Sequence, residues 1–239
     1  MAGMVRQTRI ILEMIKFEHT VFALPFAIMS AVFAAGGLPP WATLGWILVA
    51  MVGARSCAMA FNRLADAGSE GENPRTAMRA IPAGLITSKA VAVFTAVSAG
   101  LLVLAAWRLN PLAFALSPVA LVTIMGYSYA KRFTAFAHVW LGLALAIAPV
   151  GAWIAVVGRF DVLPLLLGLA VLLWVVGFDV IYACQDVDFD NGRGLHSIPA
   201  RLGIRGALIL SAGLHVLMIG VLVAVPNLAA ASGIALGVP

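Results

Sequence analysis

Charge is what this chain has least of. Asp, Glu, Lys and Arg make up 10% of its 239 residues, against about 25% in an ordinary soluble domain. So few charges cannot clothe a water-facing surface, which excludes a soluble globular protein of this length. Cysteine is nearly missing. Cys57 and Cys184 are the only two, so no disulfide scaffold is present, and their separation fits no zinc or redox spacing. They read as buried packing residues. No Gly-X-Y period runs through the chain, which excludes collagen, and its polar content is too low for disorder. A cleavable signal peptide is not expected either: Arg6, Arg9, Glu13, Lys16 and Glu18 interrupt every early apolar run.

What is abundant is apolar surface, at 63% of residues. About 20 predominantly apolar residues cross a bilayer. The runs predict spans over 20–36 (led by a more polar helix from about Ile10), 42–63, 88–107, 111–130, 135–157, 162–183 and 204–224. Gly36-Gly37-Leu38-Pro39-Pro40, Asn110-Pro111 and Pro226-Asn227 punctuate them. A last apolar stretch from near Leu228 to Pro239 covers only about 18 Å as a helix, too short for a core of about 30 Å. The expected fold is all-α: a polytopic transmembrane helical bundle of seven full spans plus a truncated eighth, one domain over 1–239.

Charge placement predicts orientation. With the N-terminus in the cytoplasm, thirteen of the fifteen Lys and Arg fall on that side, and only Arg108 and Arg159 fall outside. This is the positive-inside pattern, and predicts a multi-pass protein of the cell (inner) membrane. The net charge of +5 then answers to anionic lipid headgroups and calls for no nucleic acid. The acids follow the same side. Nine of ten lie there, Asp161 being the exception, although the rule makes no such demand of carboxylates.

Those acids form two clusters. Asn62, Asp66 and Glu70 end the second span; Tyr182, Asp186 and Asp190 end the sixth, with Asp179 and Asp188 beside them. Four-residue steps keep one helix face. Arg55, seven residues before Asn62, joins the first face, and Asp179, seven before Asp186, joins the second. Each cluster is followed by a similar tag: Arg79-Ala80-Ile81-Pro82-Ala83-Gly84 and His196-Ser197-Ile198-Pro199-Ala200-Arg201. The repeat predicts a pseudo-duplicated four-helix unit, with two equivalent helices aiming acids at one cavity. Clustered carboxylates need cations to stay ionised. Mg²⁺ takes oxygen ligands and commonly bridges carboxylates to phosphates, so two facing sets can hold two Mg²⁺ ions around a diphosphate. Arg75, Lys131, Arg132, Arg193 and Arg201 lie on the same side to neutralise the rest. Plainer readings suit other residues: Glu13, Glu72 and Asp188 as solvated acids, Lys131-Arg132 equally as a topological anchor, and His19, His138 and His215 as packed or interfacial.

At these residues the chain resembles the UbiA family of intramembrane aromatic prenyltransferases. Asn62-Arg63-Leu64-Ala65-Asp66-Ala67-Gly68-Ser69-Glu70 is similar to the family's first aspartate-rich motif, N-D-x-x-D-x-x-x-D, and runs on into Asn73-Pro74-Arg75-Thr76. Asp179-Val180-Ile181-Tyr182-Ala183-Cys184-Gln185-Asp186-Val187-Asp188-Phe189-Asp190 is similar to the second, D-x-x-Y-x-x-x-D-x-x-x-D. Tyr127-Ser128-Tyr129-Ala130-Lys131-Arg132-Phe133-Thr134 resembles the stretch after the fourth helix. Arg63 and Glu70 stand where many members have Asp. Arg63 places the chain nearer the 4-hydroxybenzoate and menaquinone-pathway branch.

The resemblance implies a Mg²⁺-dependent transfer of a polyprenyl group from polyprenyl diphosphate to an aromatic acid, such as 4-hydroxybenzoate or a hydroxynaphthoate, in ubiquinone or menaquinone biosynthesis. It implies a single UbiA-like transmembrane domain with the family's last helices missing. It assigns Asn62, Asp66, Glu70, Asp186 and Asp190 to metal, with Asp66, Asp186 and Tyr182 catalytic. Arg75, Lys131 and Arg132 are assigned to diphosphate, and Arg55 and Lys16 to the acceptor's carboxylate. The lipid bilayer supplies the prenyl chain. Two alternatives stand beside it: a secondary transporter, whose ion sites belong near the midplane, and an inactive truncated relative.

Overall fold

The computed structural model describes residues 9–15, 23–72, 76–134, 136–187, 192 and 197–231, without the side chains at 69, 70, 72, 131–133, 230 and 231. Among the described residues the chain is helical, with no strand. After a helical stretch over 9–14, seven helices follow in order: α1 (Leu24–Ala35), α2 (Trp41–Glu72), α3 (Ser88–Leu109), α4 (Pro111–Phe133), α5 (Ala137–Val157), α6 (Val162–Ala183) and α7 (Ile198–Ala231). All but α1 are long and apolar enough to cross a membrane. The first expected span is a 12-residue helix within the described part, about 18 Å long. The last span is longer than expected. It starts six residues early and runs through Pro226 to Ala231, so Leu228 continues a helix instead of opening a new one.

Local chemistry sets the boundaries. Asn110 serves two helices: its own N–H closes α3 onto the Ala106 carbonyl, and its side chain accepts from Ala113 N–H at 2.9 Å to cap α4. Pro111 then fills the first turn, where no donor is needed. Thr87 caps α3 by accepting from Ala90 N–H at 3.2 Å. Gly36 and Gly158 end α1 and α5 in the left-handed region.

Consecutive helices run antiparallel, so the ends of α2, α4 and α6 and the starts of α3, α5 and α7 share one end of the bundle. The closest pairs are α2 with α3, α6 with α7, and α5 with α6; α1 packs on α5. Small residues permit this. A Cβ on Gly53 would lie 2.9 Å from the Ser98 carbonyl oxygen and the Leu102 nitrogen of α3. Lipid gives no hydrophobic drive between helices, so close van der Waals packing has to hold them.

The two sequence tags are also similar in shape. The first coils once, with Ala83 N–H bonded to the Arg79 carbonyl at 2.9 Å, and ends at Gly84 with φ +68°. In the second, Arg201 N–H bonds to the Ser197 carbonyl at 3.2 Å before Gly203, at φ +70°, kinks α7. In each, one turn stops at a positive-φ glycine and a long helix follows, although Gly203 lies two residues beyond the position that matches Gly84.

Candidate active site

The cavity that distinguishes this bundle has a volume of about 620 Å³ and is walled by α2 to α6. Along α2 its lining runs from Ile47 to Asn62, about 22 Å at the helical rise. The walls are mostly Ala, Leu, Ile, Met and Val. Polar side chains are few: Ser117, Arg55 near the middle of α2 and, toward one end, Asn62 and Tyr127.

That end is the shared end of α2, α4 and α6. Asn62 Nδ2 donates to Asp66 Oδ2 at 3.1 Å, the contact that a four-residue helical step allows. Asp66 is 4% exposed and Arg63 7% exposed, so both charges are held inside the bundle. The Tyr127 hydroxyl lies in the fields of Asp179, Asp66, Arg55 and Arg63 together. Asp66 of the first motif and Asp179 of the second therefore act on the same hydroxyl, one from α2 and one from α6. Arg55 Nε is buried with no hydrogen-bond partner among the described residues. A buried, unpaired donor of a charged group is costly, and this one belongs to a residue that lines the cavity.

A family comparison matches the UbiA prenyltransferase family over residues 23–239. The chain belongs to the UbiA prenyltransferase family. It is 33% identical over 210 residues to the 4-hydroxybenzoate octaprenyltransferase of Vibrio parahaemolyticus, covering 87% of this chain and 70% of that one. A solved UbiA homolog from Aeropyrum pernix, in its apo form, superposes with a TM-score of 0.79 at 36% identity, over 85% of this chain and 77% of that one. A UbiA homolog from Archaeoglobus fulgidus bound to DMAPP and Mg²⁺ shares the fold, with a TM-score of 0.73 at 18% identity over 90% of this chain and 77% of that one. The family resemblance carried by the three motifs is borne out. The transporter alternative loses its footing, because the family whose model matches most of this chain is one of prenyltransferases.

Within this UbiA-family bundle the expected site residues are distributed as follows. Asn62 and Asp66 pair at the polar end of the cavity, and Arg55 lines it about 10 Å further along α2. Tyr182 stands 44% exposed on α6. Asp186 lies in a 3₁₀ turn, Cys184–Asp186, that follows the end of α6 at Ala183. Lys16, Arg75 and Asp190 lie outside the described residues, and Glu70, Lys131 and Arg132 outside the described side chains. Among the described residues no group of three or more His, Cys, Asp or Glu is placed to hold a metal ion.

Three residues at this end carry more than their sequence reading. Arg63 is a buried neighbour of the site. Tyr127 joins the two motifs. His138 holds Asp179, with Nδ1 2.7 Å from Oδ2. Local spacing gave no sign of the last pair, which spans 41 residues and two helices.

Proposed function

We propose that this chain transfers a polyprenyl group from polyprenyl diphosphate to an aromatic acid such as 4-hydroxybenzoate or a hydroxynaphthoate, in ubiquinone or menaquinone biosynthesis. The cavity carries the reading: a long, mostly apolar chamber with Asn62 and Tyr127 toward one end and Arg55 further in. A prenyl diphosphate has the same asymmetry. The similarity to a 4-hydroxybenzoate octaprenyltransferase supports the acceptor class. The DMAPP and Mg²⁺ of the A. fulgidus homolog support the donor class and the metal.

The oxygen-rich donor set suits a hard cation. Asn62 and Asp66, already paired on one face, would hold Mg²⁺ together with Glu70, Asp186 and Asp190. When bound, Mg²⁺ supplies Lewis-acid stabilisation of charge on the leaving diphosphate. Arg75, Lys131 and Arg132 grip phosphate oxygens by charge-assisted hydrogen bonds. Arg55 offers its unpaired Nε, and with Lys16 holds the acceptor's carboxylate. Tyr182 orients a carboxylate or stabilises the cation with its ring face. The bond between prenyl C1 and the diphosphate oxygen breaks, and its electron pair leaves with the diphosphate. A ring carbon of the acceptor supplies the pair for the new C–C bond, and the displaced ring proton passes to diphosphate or to water at the polar end. The apolar walls keep water from the allylic cation.

In this reading the chain sits in the cell's inner membrane, with its N-terminus and acidic ends in the cytoplasm. The test is to incubate membranes carrying the chain with radiolabelled polyprenyl diphosphate, Mg²⁺ and a panel of aromatic acids. A labelled, acceptor-dependent, chelator-sensitive lipid product is expected. No product with any acid, or transfer that survives excess chelator, overturns the proposal.

A further inference from the structure

His138 is the second residue of α5 and is 6% exposed. Both of its ring nitrogens are engaged. Nδ1 lies 2.7 Å from Asp179 Oδ2 on α6, and the backbone N–H of Ile198 donates to Nε2 at 3.4 Å. A backbone N–H can only donate, so Nε2 presents its lone pair and the ring proton sits on Nδ1, facing the carboxylate. Ile198 is the first residue of α7. Its N–H has no acceptor inside its own helix, and the ring supplies one. Asp179 in turn acts on the Tyr127 hydroxyl at the polar end of the cavity. One imidazole thus joins α5, α6 and α7 at the first residue of the second acidic motif. A histidine that only filled space would need neither contact.

We propose that His138 is a positioning residue: it fixes the Asp179 carboxylate in one orientation and ties that orientation to the seating of α7, so that the second acidic motif stands preformed for Mg²⁺ and diphosphate. This rests on the prenyltransferase reading for its purpose, while the relay itself does not.

The test uses the full chain, purified in detergent, with farnesyl thiodiphosphate as a non-hydrolysable donor titrated across a range of Mg²⁺. His138→Leu keeps the bulk and removes both contacts. It should weaken donor binding about 10-fold or more, the loss expected for one charge-assisted hydrogen bond, and raise the Mg²⁺ needed for half-saturation. His138→Gln carries an NH₂ that can donate to Asp179 and a carbonyl that can accept from Ile198 on a single amide and should restore binding to within about threefold of the unaltered chain. Hydrogen exchange at the Ile198 amide gives a readout that needs no ligand. It should quicken in His138→Leu and also in Asp179→Ala, which leaves the ring in place but removes its anchor. A His138→Leu protein of lowered thermal stability but unchanged Mg²⁺ dependence overturns the proposal, as does unchanged Ile198 exchange in Asp179→Ala. If the unaltered chain itself binds no donor at any Mg²⁺, the prenyltransferase reading fails, and the exchange measurement alone decides the relay.

Discussion

Asp66 is buried, paired to Asn62, and shares Tyr127 with Asp179. Asp66→Asn fits the same space, so expression should stay near normal while turnover is lost, because an amide cannot supply the charge that a cation requires. Full activity in that variant, assayed by transfer of labelled prenyl groups, would remove the metal role. Arg55 makes a separable prediction. Deleting a charge-assisted contact costs about 1.5–3 kcal/mol, or about 10- to 150-fold. Arg55→Ala should raise KM for the aromatic acid by that factor and leave donor KM near its original value. An acceptor lacking the carboxylate should not feel the change, and if it does, Arg55 is not the carboxylate's partner. Arg55, Asn62 and Asp66 were legible in the sequence because they share one helix, where spacing alone decides which side chains meet. How Tyr127, His138 and Asp179 lie relative to one another was not. They come from α4, α5 and α6, and only packing of those helices brings them together.

Most helix boundaries could be read from the chain because caps and prolines mark them. The spacing predicts 88–107, 111–130 and 162–183; the helices run Ser88–Leu109, Pro111–Phe133 and Val162–Ala183. The misses have physical causes. Hydropathy cannot see that Ser197–Leu202 coils as one turn before the Gly203 kink, so the start of α7 was placed too late. Pro226 reads as a stop, yet a helix packed in a bundle absorbs one missing N–H and continues. Close helix approach was invisible as well, since a glycine in an apolar run gives no hint of what faces it. Gly53 tests that point. Gly53→Val would press a Cβ against α3 backbone at 2.9 Å, and backbone cannot step aside as a flexible side chain can. Overpacking of this kind costs about 1–3 kcal/mol. Thermal unfolding in detergent should show the loss. Gly45→Ala on the same helix, with nothing within 4 Å of the added Cβ, should melt near or slightly above the unaltered protein. Equal melting of the two variants would mean that α2 and α3 do not meet as described.

For the whole molecule, the open question is which way round it sits. The bundle sorts its charges by end: the polar end of the cavity lies with the ends of α2, α4 and α6, and the opposite end carries Arg108 and Arg159. The sequence assigns thirteen of the fifteen Lys and Arg to the first side as an expectation. Lys and Arg resist translocation and are retained in the cytoplasm, so the substrate head groups should be met from the cytoplasm while the prenyl tail lies in the bilayer. Placing thiols on that side tests this directly. With Cys57 and Cys184 replaced by serine, Ser69→Cys and Gly192→Cys each add one reactive site, near the end of α2 and between α6 and α7. A membrane-impermeant maleimide applied to sealed cells should label neither, and both should react once the membrane is permeabilised. Phe160→Cys, between α5 and α6 at the opposite end and 53% exposed as Phe160, should label in sealed cells and so shows that the reagent reaches the protein. Ready labelling of 69 and 192 with 160 protected would invert the orientation. The diphosphate site would then face away from the cytoplasmic pool of its substrate, and the proposed reaction could not run as described.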